Sequence, residues 1–281
     1  MSKRKYGETP QSQQRWIKEG RGSGIGEKYK PWLTIHDVPS SGGRHRIDGI
    51  KINRAHHLLS NLEKDYFYIL EFSDSVVDIR EQFSLFTLEE TLAIAQEIGL
   101  KHPIDPHTNC HKMITTDFLI TINNNGEFID LARTVKQWKD LMDERQMEKF
   151  EIERIYWKRK GVDWGIVTEK EINSNLAMNI GNIRGYKDIS HLDGYSQLSK
   201  KNKKLILDKF TQEICGSGVI VRDVAFKFDE KMALPIGTSL SLFKHLLVNK
   251  IIFLDMEKKL DFDSPQYISK QKLIENGVSV G

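Results

Sequence analysis

Hydrophobic residues at helical spacing predict the first helix at about residues 61–72, where apolar positions recur four, seven and eight residues apart. Ser60 and Glu63 stand at its start as a capping-box pair, which would satisfy free backbone N–H groups there. Further along, two apolar segments, 113–122 and 128–136, enclose the turn sequence Asn-Asn-Asn-Gly. This pattern predicts a β-hairpin in the middle of the chain.

Around the hairpin, the same reasoning predicts further helices and extended segments. The longest of these helices ends in three basic residues followed by Gly161, which is a typical helix C-terminus. The order of the elements is that of an α/β layer with a mixed sheet. The segments are 76–80 (extended), 87–98 (helix), 139–160 (helix) and 164–168 (buried strand).

From about residue 169 onward the pattern changes, because helical periodicity dominates the rest of the chain. The last predicted helix runs into two short apolar segments separated by a charged turn at 257–259, which is the order of a winged helix. We therefore expect an α/β domain at 1–170 and a smaller, mostly helical, winged-helix-like domain at 171–281. The predicted helices of the second domain are 169–180, 198–214 and 240–249.

Composition excludes several classes of protein. The longest uninterrupted apolar run, 66–70, is far shorter than the roughly 20 residues of a membrane span. No apolar segment follows the basic N-terminus, so we expect no secretory signal. Cys110 and Cys215 are the only cysteines, which excludes a disulfide scaffold and suits a reducing compartment. We therefore expect a folded cytoplasmic protein.

Charge is distributed unevenly along the chain. Residues 1–54 contain 12 Lys and Arg against 5 Asp and Glu, a net charge of +7, whereas the whole chain has +3. The same stretch is rich in glycine and carries aromatic residues, as in segments that follow a phosphate backbone. It therefore predicts a DNA-binding arm, with a solvated tail as the alternative. The candidate DNA contacts are Arg44, Arg46, Lys51 and Arg54.

Three positions could carry chemistry because of the elements on which they lie. Glu63 is at the border of the apolar face of the first helix, Asp117 is within an apolar strand, and Lys136 ends the next strand. A suitable register of the hairpin can bring Asp117 beside residues 134 and 136, which share a face. Carboxylates bind a hard divalent cation, and a nearby lysine stabilises developing charge on a phosphoryl group. Glu153, on the inward side of the longest helix, is a further candidate ligand.

Each of these residues also has a structural interpretation. Glu63 could act only as a helix cap, Lys136 could end a strand in solvent, and Glu153 could form a surface ion pair. Asp117 is harder to explain structurally, because an unpaired buried carboxylate is energetically costly.

These residue types in this order resemble the PD-(D/E)xK restriction-endonuclease pattern, and a set of longer segments is similar to the TnsA family. TnsA is the endonuclease subunit of heteromeric transposases and works beside the DDE transposase TnsB. The similarity is close over about residues 13–175 and weaker afterwards, where the family carries a winged-helix-like domain. The segments are 29–34 (YKPWLT), 38–42 (VPSSG), 56–60 (HHLLS), 78–83 (DIREQF), 115–119 (TTDFL), 151–154 (EIER) with 156–157 (YW), and 168–173.

The resemblance implies a restriction-endonuclease-like fold and a set of site residues. The catalytic Glu, Asp and Lys of the family fall on Glu63, Asp117 and Lys136, and a further acid of the long helix falls on Glu153. The general nuclease motif has an acidic residue two positions before the lysine. This chain has Thr134 there, and TnsA-like proteins also have a neutral residue at this position. The implied metal ligands are therefore Glu63, Asp117, Thr134 and Glu153, with Mg²⁺ as the cofactor.

The resemblance also implies an activity and partners. The expected reaction is hydrolysis of the 5′, non-transferred strand at transposon ends, while TnsB cuts and joins the other strand. The C-terminal domain is expected to contact TnsC, an AAA+ regulator. Two alternatives remain open, namely a non-catalytic DNA-binding adaptor and a stand-alone restriction-like nuclease. A zinc site at the loop containing His102, His107, Cys110 and His111 is disfavoured, because the spacing fits no common zinc motif.

Overall fold

The computed structural model describes residues 7–38 and 43–270, so residues 39–42 of the VPSSG segment and both chain ends lie outside the described residues. The chain divides into two compact units, Met1–Ile172 (unit 1) and Asn173–Gly281 (unit 2). In the described part of the chain, no helix has the length and apolar character needed to cross a bilayer.

The basic N-terminal stretch of unit 1 is folded wherever it is described. Helix α1 (Pro10–Lys18) begins at a capping box in which Thr9 accepts from the backbone of Ser12. Strands β1 (His45–Asp48) and β2 (Ala55–Leu58) form an antiparallel pair. Of the aromatic residues that favour a nucleic-acid arm, Trp16 and Trp32 are buried, as is Tyr29, whereas His36 is exposed and His45 is half-buried. The alternative of a solvated tail is therefore wrong for the three buried residues, since their aromatic side chains form part of a core.

Helix α2 (Asn61–Phe72) begins where the sequence predicts, and Ser60 accepts a hydrogen bond from the backbone N–H of Glu63. It is followed by strand β3 (Val76–Ser84), helix α3 (Leu88–Glu97), strand β4 (Thr115–Asn124) and strand β5 (Glu127–Val135). The predicted hairpin is confirmed, with its turn at 125–126.

Helix α4 (Glu144–Arg159) starts later than predicted, because the Asp143 side chain accepts from the backbone N–H groups of Arg145 and Gln146 and so caps the helix there. A 3₁₀ turn, Trp138–Met142, occupies the predicted first turn. Strand β6 (Asp163–Val167) completes the unit.

A four-stranded mixed sheet forms the centre of unit 1, in the order β3-β4-β5-β6. β3, β4 and β5 are antiparallel, and β6 runs parallel to β5 after the crossover through α4. Helix α2 covers one face through an apolar cluster, here called the α2 core, and α3 and α4 cover the other through the α4 core. The α2 core includes Tyr66, Phe67, Leu70, Ile79, Phe118 and Val135; the α4 core includes Leu85, Ile94, Leu119, Ala132, Ile152 and Trp157. This is the predicted restriction-endonuclease-like α/β arrangement.

Unit 2 is mostly helical. Its helices are α5 (Ser174–Ile183), α6 (Lys200–Ile214), α7 (Val221–Met232) and α8 (Thr238–Val248). Helical periodicity predicts a start of α5 at 169, but the Asn173 side chain caps the helix by accepting from Leu176 N. Helix α7 is not among the helices predicted from the sequence.

The winged-helix order predicts a β-ribbon formed by the apolar segments 251–256 and 260–262 around the turn at 257–259, and this prediction is wrong. Strands β7 (Gly216–Ile220) and β8 (Pro265–Ile268) pair antiparallel instead, and Phe253 makes only an isolated bridge to Ser269. The side chains of Asp255 and Asp261 each accept a backbone N–H two residues ahead, which turns the chain through 255–263 and delays the returning strand. Strand β7 follows α6 and pairs with β8, which follows α8, and this order of helices and strands keeps the winged-helix-like arrangement.

Candidate active site

At Asp117 the regular alternation of side chains between the two faces of the sheet is interrupted in strand β4. Residues two apart in a strand normally point to the same side, yet Thr116 donates to Glu153 of α4 whereas Phe118 packs in the α2 core. The neighbouring strand β3 has a matching irregularity at Gln82, whose φ is +48°. The side chains of Asp117 and Gln82 consequently meet at this point of the sheet, within 3.4 Å.

The hairpin register brings Asp117 beside the end of β5, because Phe118 pairs with Arg133. Asp117 Oδ2 accepts the backbone N–H of Val135 at 2.8 Å and lies 3.4 Å from Lys136 Nζ. The carboxylate of Asp117 raises the pKa of Lys136, against the opposing effect of burial. Lys136 is therefore a fixed positive charge at the site, and its interpretation as a solvent-exposed strand end is wrong.

Glu63 enters the same site from the first turn of α2. Its Oε2 accepts the backbone N–H of Leu59 at 2.9 Å, so the side chain also helps to cap the helix. Burial, together with the negative charge of Asp117, raises the pKa of Glu63 to about 7. A cation bound beside the two carboxyl groups would offset this repulsion and stabilise the ionised form of Glu63. Glu63 thus combines the cap and the candidate ligand in one side chain.

Gln82 lies between the two carboxylates, and although it stands in the family-like segment 78–83, the sequence assigns it no role in the site. Its Nε2 lies 3.3 Å from Glu63 Oε2 and 3.4 Å from Asp117 Oδ1. The resemblance of segment 78–83 is the sequence signal at this position, but the left-handed backbone that aims Gln82 at the acids appears only in the folded chain.

Glu153 and Thr134 form a second polar group on the α4 side of the sheet. Glu153 is fully buried, and its Oε1 accepts from Thr116, Thr134 and Trp164. Its Oε2 has no hydrogen-bond partner among the residues that the structure describes, and burial raises the pKa of this carboxyl group. Lys149, one helical turn earlier, favours the ionised form of Glu153, whereas its own pKa is lowered by burial. The four predicted ligands are thus divided between two adjacent hydrogen-bonded groups.

The donor set at Glu63 and Asp117 suits a hard divalent cation. The N–H groups of Leu59 and Gln82 engage Oε2 of Glu63, and the Gln82 amide lies between the two carboxylates. Within residues 7–38 and 43–270, no three carboxylate, imidazole or thiol groups converge closely enough to hold a metal by themselves. A cation at this point would thus use two carboxylates and oxygen atoms of other kinds.

Three of the four predicted DNA contacts are engaged inside unit 1. Arg54 lies against the fully buried Glu81, Lys51 Nζ donates to the backbone carbonyls of residues 73 and 76, and Arg44 donates to those of residues 35 and 38. Contact of these three side chains with DNA stays a prediction. It would require them to exchange their hydrogen bonds inside unit 1 for bonds to phosphate. Arg46 is exposed and keeps its guanidinium available.

The loop that carries His102 holds it in a structural role. His102 is buried, its Nε2 lies 2.9 Å from the Thr91 hydroxyl, and burial lowers its pKa to about 4. A neutral imidazole with a neighbouring hydroxyl belongs to the packing of α3.

The fold and the site together define a restriction-endonuclease-like α/β unit followed by a winged-helix-like unit. A sequence profile of the TnsA-like endonuclease N-terminal domain matches residues 73–169, and one of the TnsA endonuclease C-terminal domain matches residues 171–256. The two profiles together cover well over half of the chain, which therefore belongs to the TnsA endonuclease family.

A similarity to one curated protein supports the same assignment. The transposon Tn7 transposition protein TnsA of Escherichia coli is 48% identical to this chain over 166 residues. That alignment covers 59% of this chain and 59% of the Escherichia coli protein, so each extends well beyond the matched region.

Proposed function

We propose that the chain is the DNA endonuclease subunit of a heteromeric transposase and that it hydrolyses the 5′, non-transferred strand at transposon ends with Mg²⁺. The observation that carries the proposal is the convergence of Glu63, Asp117 and Lys136 at one point of the sheet. Family membership supports the same chemistry, because both matching profiles describe an endonuclease.

Each side chain has a role that follows from its contacts. Glu63 and Asp117 would hold the cation through carboxylate oxygens, and the N–H groups of Leu59 and Gln82 engage Oε2 of Glu63 rather than Oε1. A bound divalent cation neutralises phosphoryl charge and activates water. Lys136, fixed against Asp117, supplies a second positive charge where the scissile phosphate becomes more negative.

Thr134 and Glu153 together would replace the acidic side chain that the general nuclease motif has two residues before its lysine. The Thr134 hydroxyl donates to Glu153 Oε1, so a carboxylate from α4 stands behind the neutral strand residue. The unpartnered Oε2 of Glu153 is the atom that this group would offer to a ligand shell. We propose Glu153 and Thr134 as the remaining ligands of the site.

We also propose that the chain works in the cytoplasm with TnsB, that unit 2 binds TnsC, and that the exposed Arg46 contacts the DNA backbone. Unit 2 offers a basic surface at the start of α6, where Lys200, Lys201 and Lys204 are exposed. Such a surface favours an acidic partner or a phosphate backbone.

The test is strand cleavage of a 5′-end-labelled transposon-end duplex in Mg²⁺, with and without TnsB. We expect the full-length chain with TnsB to release the 5′ strand and Asp117→Asn to release almost none. Asparagine keeps an oxygen for the Val135 N–H but removes the negative charge, so the fold should be retained.

Two results would contradict the proposal. One is cleavage at the normal rate by Asp117→Asn. The other is binding of the duplex by the wild-type chain without cleavage of either strand, which would favour the DNA-binding adaptor. Specific 5′-strand cleavage without TnsB would favour a stand-alone nuclease.

A further inference from the structure

Gln82 lies at the centre of the site without being one of its charged residues. It is 2% exposed, and its Nε2 lies within 3.4 Å of both carboxylates, Glu63 and Asp117. Its Oε1 lies 3.4 Å from the Thr115 hydroxyl. The amide therefore has a donor side that faces the two acids and an acceptor side that is anchored on β4.

The backbone of Gln82 is held in a conformation that few side chains adopt. Its φ of +48° is in the left-handed region, where a residue with a Cβ costs about 1–2 kcal/mol. Its carbonyl accepts the N–H of the buried Trp32 at 3.1 Å, which ties the conformation to the N-terminal stretch. The neighbours on either side point apart, since Glu81 bonds His56 near α2 and Phe83 contacts Trp157 of α4. The strained residue is thereby the one that aims into the site.

The hydrogen bonds from Gln82 involve only one oxygen of each carboxylate. These are Oε2 of Glu63 and Oδ1 of Asp117, while Asp117 Oδ2 accepts from the backbone of Val135. A neutral donor that binds one oxygen of each acid reduces their repulsion and fixes the direction of their remaining lone pairs.

We infer that Gln82 is a positioning residue that holds the carboxylates of Glu63 and Asp117 at the separation and orientation required to share one divalent cation. This inference rests on the proposed function, because it concerns the cation site of that activity. It adds a residue from β3, outside the Glu-Asp-Lys set, to the machinery of the site.

The experiment measures Mn²⁺ binding to the full-length chain by isothermal titration calorimetry, without DNA. Gln82→Asn is the test variant, because asparagine tolerates left-handed φ. It withdraws the amide by one methylene, about 1.5 Å. We expect Mn²⁺ affinity to fall about tenfold or more, as when a group that orients a metal ligand is lost.

A matched control is available within the same unit. Gln13 is also buried, and its Nε2 donates to the Glu8 carboxylate at 2.9 Å and to the His111 carbonyl at 2.8 Å. Gln13→Asn makes the same chemical change without touching Glu63 or Asp117, so Mn²⁺ affinity should stay at the wild-type value. Gln82→Gly accepts the positive φ and removes the amide entirely. Its Mn²⁺ affinity should fall as much as that of Gln82→Asn.

The outcomes separate this inference from the proposed function. If the wild-type chain binds Mn²⁺, Asp117→Ala does not, and folded Gln82→Asn or Gln82→Gly binds as tightly as wild type, the positioning role is refuted while the cation site stands. If the wild-type chain itself binds no Mn²⁺, both fail. An equal loss in Gln13→Asn would also refute the role, because the effect would then be one of general stability.

Discussion

Replacing Glu63 with glutamine separates the helix cap from the charged site. The Ser60 hydroxyl bonds the backbone N–H of Glu63, which the substitution does not alter, and the new glutamine side chain keeps an oxygen for Leu59 N. What is lost is one negative charge beside Asp117. The structure therefore predicts loss of cleavage together with a gain in stability of the metal-free protein at alkaline pH.

The size of that gain follows from the pKa of Glu63. Burial and Asp117 raise it from 4.5 to about 7 in the folded chain. Between these values the folded state holds a proton that the unfolded state has released, so the free energy of unfolding falls as pH rises. At 1.36 kcal/mol per pKa unit, the free energy of unfolding of the wild-type chain is lower at pH 8 than below pH 4.5 by up to about 3 kcal/mol. Glu63→Gln avoids this loss, and the difference vanishes below about pH 4.5.

Tryptophan fluorescence is a suitable assay, because all five tryptophans, at 16, 32, 138, 157 and 164, lie in unit 1. Urea unfolding of the full-length chain with a chelator at pH 5 and pH 8 then reports the unit that contains the site. We expect the variant to exceed the wild type by up to about 3 kcal/mol at pH 8 and by much less at pH 5.

Glu71→Gln is the matched control on the same helix. The Glu71 carboxylate is buried but accepts from the backbone of Ile50 and Lys51 rather than facing the site. Its replacement should not stabilise the chain at pH 8 and should leave cleavage intact. If Glu63→Gln gains no stability at pH 8, the pKa of Glu63 is not raised in the folded chain, and if that variant still cuts DNA, Glu63 has no catalytic role.

Further predictions concern charge and the division into units. Arg54→Met should lower the free energy of unfolding by about 3–5 kcal/mol, because it leaves Glu81 buried without its guanidinium partner. Hydrogen bonds from Arg54 and His56 lower the pKa of Glu81 to about 2, so its stabilising effect should be lost as pH falls from about 4 toward 2, in acid unfolding monitored by circular dichroism. Arg46→Met should leave unfolding unchanged and reduce the salt dependence of DNA binding by up to about one unit of slope, and an unchanged slope would exclude a phosphate contact. In a pull-down, residues 173–281 should retain TnsC, whereas capture by residues 1–172 alone would overturn the assignment of that partner to unit 2.

Sequence periodicity was sufficient for the elements that carry the acidic residues. The capped start of α2 and the hairpin of β4 and β5 follow from local patterns, because a polar cap and a turn act over a few residues. These elements placed Glu63 and Asp117 on the correct helix and strand, and Lys136, predicted as the last residue of its strand, directly follows β5. They did not show whether Glu63 is a cap or a site residue, since that depends on how far α2 lies from the sheet.

In unit 2 the local signals were less complete. The helical pattern near 240–249 is strong, but the returning strand depends on side chains of Asp255 and Asp261 that turn the chain before it can pair. Strand pairing joins residues far apart in sequence, such as Val219 and Gln266, and no local pattern specifies that register.

What the sequence by itself determined is therefore the kinds of element, the acidic and basic residues they carry, and, through the resemblance, the family. The tertiary structure alone decided which charges are used internally, as with Arg54 at Glu81, and which remain exposed, as with Arg46. It also decided that Gln82 joins the two acids, since a left-handed residue within a strand is held there only by surrounding contacts. Charge pairing and backbone strain arise from groups distant along the chain, so they appear only once the chain has folded.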